Sequence, residues 1–108
     1  MSFRRRLDPF VRRSLHVPMQ WVFDENRFVS RQLDGEHIIL HLDSGDYYTL
    51  DGAGGLIFGM ILRCRPIEEM EAALRREYPD ADERVLRRDL QDLIRQLESK
   101  KIIRAQSP

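Results

Sequence analysis

The chain has 108 residues, 42% hydrophobic and 33% charged, with a formal net charge of zero. That length fits one domain, and the apolar share is too high for a wholly disordered chain. Electrical neutrality supplies no overall field for nucleic acid or an anionic membrane.

Cys64 is the one cysteine. It excludes an internal disulfide and a thiolate-rich metal centre, and it fits a reducing compartment. No apolar run reaches membrane-spanning length, and no apolar segment of a secretory signal follows the basic start, so the cytoplasm is the expected location.

Residues 1–25 read as a basic extension. Arg4, Arg5, Arg6, Arg12 and Arg13 crowd it, and Pro9 and Pro18 interrupt it. Phe10, Val11, Leu15, Trp21 and Phe23 are apolar enough for part of it to pack on the body, with a short helix over Pro9–Leu15. The main domain is expected over 26–104 and a tail over 105–108.

Strand patterning begins at Arg27. A first strand reaches Leu33, and Asp34-Gly35 follows as a hairpin signal, because a primed turn needs positive φ. His37–Leu42 alternates: Ile38, Leu40 and Leu42 share one face, and His37, Ile39 and His41 the other. Asp43-Ser44-Gly45-Asp46 has turn composition. Tyr47–Leu50 is a short third strand of good strand formers, with Tyr48 and Leu50 expected toward the core and Tyr47 and Thr49 away from it.

The period then changes to a helical one. Asp51 is an N-cap candidate ahead of Ala53, Leu56, Ile57, Met60 and Ile61. Gly52, Gly54, Gly55 and Gly59 each weaken a helix by about 1 kcal/mol. Their number predicts a close approach of this helix to the sheet. Pro66 opens a second helix with a buried stripe of Ile67, Met70, Leu74 and Tyr78, and Pro79 closes it. Asp80 and Glu83 have capping-box spacing for a third helix. Its core stripe is Leu86, Leu90, Leu93 and Leu97, it ends near Lys100, and Ile102-Ile103 folds back onto the core. The expected fold is therefore α+β: a three-stranded antiparallel sheet followed by three helices.

Catalytic patterns are weak. His37 and His41 share a strand face about 13 Å apart, too far to chelate one ion. The histidines are read as structural or solvent-exposed. Cys64 lies near a helix end, where the dipole disfavours a thiolate. Gly52-Ala53-Gly54-Gly55 lacks the Lys-Ser/Thr of a phosphate loop and a parallel βαβ setting. The expectation is no enzyme activity, no cofactor and no metal. What remains is recognition. A three-stranded meander has an open edge at Tyr47–Leu50, which is either used to pair a peptide or merely protected or dimerised.

The run from Ile39 to Phe58 resembles the PqqD-like family: a hydrophobic strand, a Ser-Gly turn, paired Tyr47-Tyr48, Leu50-Asp51, then Gly and Ile57-Phe58. Phe58 stands where that family usually has Trp, and Asp51 where it usually has Asn. The likeness continues through Pro66–Met70, Leu74, Tyr78, Val85, Asp89-Leu90, Leu97 and Lys101–Ile103, covering about Arg27 to Ile103.

The resemblance implies a winged-helix-like domain that holds the leader segment of a ribosomally made precursor peptide. It would present that leader to a modifying enzyme, such as a radical-SAM protein or a leader peptidase. The leader would add as a strand to Asp46, Tyr47, Tyr48, Thr49 and Leu50 and lie against the third helix. On that helix Arg84, Arg88, Gln91 and Arg95 form one stripe, and Arg87, Gln91 and Ile94 its neighbour. The arginines are expected to meet acidic leader residues, the alternative being a solvated face balanced by Asp89, Asp92 and Glu98. A monomer or weak homodimer is expected, the latter through pairing of the open edge with its own copy.

The rival is a winged-helix DNA binder. Asp80, Asp82 and Glu83 at the start of the third helix would oppose phosphates, and the neutral chain lacks a basic footprint, so nucleic acid is disfavoured.

Overall fold

The computed structural model describes residues 20–106. In chain order it has strands β1 (Gln20–Phe23), β2 (Phe28–Leu33), β3 (Glu36–His41) and β4 (Tyr47–Leu50). Helices α1 (Gly52–Leu62), α2 (Ile67–Glu77) and α3 (Glu83–Ser99) follow, then strand β5 (Ile103–Gln106). The architecture is α+β, with a β2-β3-β4 antiparallel sheet followed by the helices. The helix expected over Pro9–Leu15 and His16 lie outside the described residues.

The β2–β3 hairpin turns at Asp34 and Gly35, with φ of 53° and 79°. Two consecutive positive values make the primed turn that matches strand twist. The β3–β4 turn is held differently: Gly45 (φ 78°) donates its N–H to the His41 carbonyl, and Ser44 Oγ accepts from the Asp46 N–H.

One ribbon departs from expectation. Gln20–Phe23, assigned above to the extension, pairs antiparallel with Ile103–Gln106. The folded body thus begins before residue 26 and continues past 104. Trp21 joins the core at 9% exposure, and its Nε1 donates to Glu98 Oε2 at 3.1 Å.

The sheet register sorts side chains into two faces. Phe28 opposes His41; Ser30, Ile39 and Tyr48 form a row, as do Gln32, His37 and Leu50. This is the inner face, where Phe28, Ile39 and His37 are buried. The outer rows are Val29–Leu40–Tyr47, Arg31–Ile38–Thr49 and Leu33–Glu36.

α1 covers the inner face. A Cβ at Gly55 would meet the Leu50 carbonyl oxygen at 3.2 Å, and one at Gly59 would meet His37 Nε2 at 3.6 Å. The expected close approach is therefore made by these two glycines. Gly52 instead serves backbone geometry, with φ of 54°. Phe58 sets its ring edge-on to His37 at 5.2 Å between centroids. Both α1 and α3 end in a Schellman pair of bonds around a non-glycine residue. Arg65 N–H reaches the Met60 carbonyl past Cys64 (φ 58°), and Ile102 N–H reaches the Leu97 carbonyl past Lys101 (φ 64°).

Two helix details correct the expectation. Asp82, not Asp80, caps α3, accepting from the Arg84 N–H at 2.8 Å, so no Asp80–Glu83 box forms. Tyr78 is exposed, because α2 has already ended and Tyr78 sits at its C-cap. Ile39, Phe58, Met70, Leu90 and Ile102 anchor one core at 0% exposure. Ile102 and Ile103 fold onto it as expected.

Candidate functional site

Among the described residues, β4 pairs with β3 on one side only. In an antiparallel ladder, bonded and non-bonded residue pairs alternate. His41 N–H donates to the Asp46 carbonyl at 2.8 Å, and the register pairs Tyr48 with Ile39 and Leu50 with His37. Counting from His41–Asp46, Tyr48 and Leu50 turn their backbone groups to β3. Tyr47 and Thr49 turn theirs to the open edge. Asp46 is spent on the turn, since both its N–H and its carbonyl are engaged. Four backbone groups on two residues are therefore available to an incoming strand.

The opposite wall comes from one flank of α3. Lys100 Nζ lies 5.2 Å from the Tyr48 ring centroid. A Cβ on Gly54 would lie between the Leu50 and Leu93 side chains, at 3.4 and 3.9 Å. Gly54 thus forms a shallow floor between β4 and α3. Asp89, Leu93, Gln96 and Lys100 recur at helical spacing along this flank. The core stripe read from the sequence included Leu93, which hid its position on this wall. It is half-buried, not fully buried like Leu90.

The predicted arginine stripes do not share that wall. Arg87 Nε faces Glu71 of α2 at 3.5 Å. Ile94 is buried in the core at 5% exposure. Gln91, Ile94, Arg95 and Glu98 border a cleft with Trp21 and Ile67. Arg84, Arg88 and Arg95 are exposed and lie near acids of their own helix or its cap: Asp82 at 3.8 Å, Asp89 at 3.8 Å and Asp92 at 2.5 Å. On the α3 wheel these residues lie more than a quarter turn from Leu93 and Lys100. The structure therefore brings Tyr47–Leu50 together with Leu93 and Lys100, not with the arginines. Spacing identified a stripe but could not say which neighbour it faces.

Elsewhere, a broad cavity of about 790 Å³ borders the β1–β5 ribbon and the Asp24–Arg27 turn. Among the described residues no group of three or more His, Cys, Asp or Glu gathers as a metal site, and no helix is long and apolar enough to cross a membrane. His37 is buried, and desolvation lowers its pKa.

Residues 36–103 match the family model described as coenzyme PQQ synthesis protein D (PqqD). The chain belongs to the PqqD family. The match begins at β3 and runs into β5, so it contains β4 and all of α3, the two walls described above. Among solved structures, this PqqD-family chain is similar to TbiB1 in complex with the TbiA(beta) leader peptide. The two share 30% identity with a TM-score of 0.71, over 81% of this chain and 99% of that one. No curated protein sequence matches.

Proposed function

We propose that this chain binds the leader segment of a ribosomally made precursor peptide as a strand added to β4, and presents it to a modifying enzyme such as a radical-SAM protein or a leader peptidase. The open β4 edge carries the proposal, since Tyr47 and Thr49 turn their backbone groups outward, while Lys100 approaches the Tyr48 ring and Leu93 nears Leu50 across Gly54. Backbone bonds supply affinity, and alternate peptide side chains meet Leu50, Leu93 and Tyr48. The Lys100 ammonium favours an acidic peptide residue near the Tyr48 end of the groove. The family and the leader-bound neighbour agree with this reading. The chain acts as a binding module, not a catalyst.

The test is a titration with the leader segment of a candidate precursor, followed by backbone amide NMR. The amides of Tyr47 and Thr49 and signals of Leu93 and Lys100 shift; if they stay in place while others move, the binding mode is wrong. Thr49→Pro removes an edge donor that β3 does not use. It weakens leader binding by about tenfold, or about 1.4 kcal/mol, with the fold intact by circular dichroism.

A further inference from the structure

The outer face of the β2-β3-β4 sheet is apolar where such sheets are ordinarily polar. Leu33 is 60% exposed, Leu40 40%, Leu42 51% and Tyr47 68%. Val29 and Ile38 lie among them in the register. Apolar residues scattered singly on a surface are normal, but a contiguous patch of some hundreds of Å² marks an interaction site. The packing of α1 and of the β1–β5 ribbon is on the other face, through Gly55 and Gly59 against His37 and through Phe23 against Phe28 and Phe58.

The charges on this face identify its occupant. It carries one cation, Arg31, and one anion, Glu36, one row apart on neighbouring strands. Among the described residues neither has an ion-pair partner. A face with both signs and an apolar centre is complementary to itself. A two-fold axis lying between stacked sheets sets Arg31 of one copy against Glu36 of the other, with Ile38 near the axis. The chain's zero net charge leaves no overall repulsion between copies.

We infer that the outer face of β2-β3-β4 is a self-association surface on which a second copy of this chain stacks, sheet against sheet. The contact leaves both β4 edges free, so the dimer presents two peptide sites. The inference does not depend on the peptide reading, since it uses side chains of the face and not the backbone of the edge.

Sedimentation velocity of the full chain across a concentration series tests it. The expected result is a reversible monomer–dimer equilibrium that Leu40→Lys weakens by at least about tenfold. Arg31→Glu and Glu36→Arg each weaken it alone, and mixing the two variants or combining both changes in one chain restores it. A chain that stays monomeric at every concentration overturns the inference and leaves the face to another protein. A dimer indifferent to the charge reversals but abolished by Thr49→Pro also overturns it, and places the contact at the β4 edge. Leader titration of Leu40→Lys separates the two ideas: retained binding with a lost dimer supports both, whereas a dimer formed by a wild-type chain that binds no leader sinks only the peptide reading.

Discussion

Ile39 and Leu40 are sequence neighbours in one strand with nearly the same hydrophobicity, yet Ile39 is fully buried and Leu40 is 40% exposed. Both faces of the sheet mix apolar and polar residues. The inner one holds His37, Ser30 and Gln32, and the outer one Val29, Ile38 and Leu40. By hydrophobicity alone the outer face has the better claim to the core. What decides the matter is α1, whose Gly55 and Gly59 let its backbone settle against His37 and Leu50. The difference teaches that a face becomes core when another element fits it, not when it is merely the more apolar.

The largest expected contrast compares these two neighbours directly. Ile39→Ala should destabilise the fold by about 2–5 kcal/mol, the usual range for a buried aliphatic truncation. Leu40→Ala should cost less than about 1 kcal/mol in the monomer, since much of its side chain already meets water. Urea unfolding at a concentration low enough to hold the chain monomeric measures both. Equal costs would break the assignment of faces.

A second contrast sharpens why α1 chooses the inner face. A Cβ at Gly55 meets a backbone carbonyl oxygen at 3.2 Å, whereas one at Gly54 meets the mobile end of Leu50 at 3.4 Å. Gly55→Ala therefore pushes helix and sheet apart and should cost about 1–2 kcal/mol net. Gly54→Ala should be neutral or stabilising by up to about 1 kcal/mol, because alanine is the better helix former. Thermal unfolding of the pair gives the sign of each change.

Legibility in the sequence followed the range of the interactions involved. The Asp34-Gly35 turn, the Tyr47–Leu50 strand and the three helices are specified by residues close together in the chain, and each was readable. The β1–β5 ribbon joins Gln20–Phe23 to Ile103–Gln106, two four-residue segments far apart in the chain; Trp21-Val22-Phe23 are strand formers, but nothing near them in the sequence shows their partner. The candidate site divided in the same way. The open strand is legible from Tyr47-Tyr48-Thr49-Leu50. Which flank of α3 lies beside it is not, because arginines at regular spacing attract notice, while Leu93 looks like any core leucine. Only the seating of α3 against α1 and α2 shows that Leu93 and Lys100 turn toward β4 while Arg87 turns toward Glu71.

The smallest effect near neutral pH concerns the polar residue that the inner face encloses. His37 is 7% exposed, and desolvation lowers its pKa from the ordinary value of 6.5. Phe58 meets the ring edge-on, the ring lies over Gly55 and Gly59, and the Arg63 guanidinium and Gln32 amide line the same cleft. None of these groups is an anion that would favour the protonated ring. Above pH 6.5 the imidazole is neutral in folded and unfolded chains alike, so its titration contributes no pH dependence. As pH falls through 6.5 the unfolded chain takes up a proton that the folded chain refuses, and stability drops until the folded pKa is passed. His37→Leu removes this term. The difference in unfolding free energy between wild type and variant, followed from pH 8 to pH 5, should stay level above about 6.5 and shift against the wild type below it. A difference that stays flat across the range would mean that His37 titrates as it does in water, and so is not enclosed between α1 and the sheet.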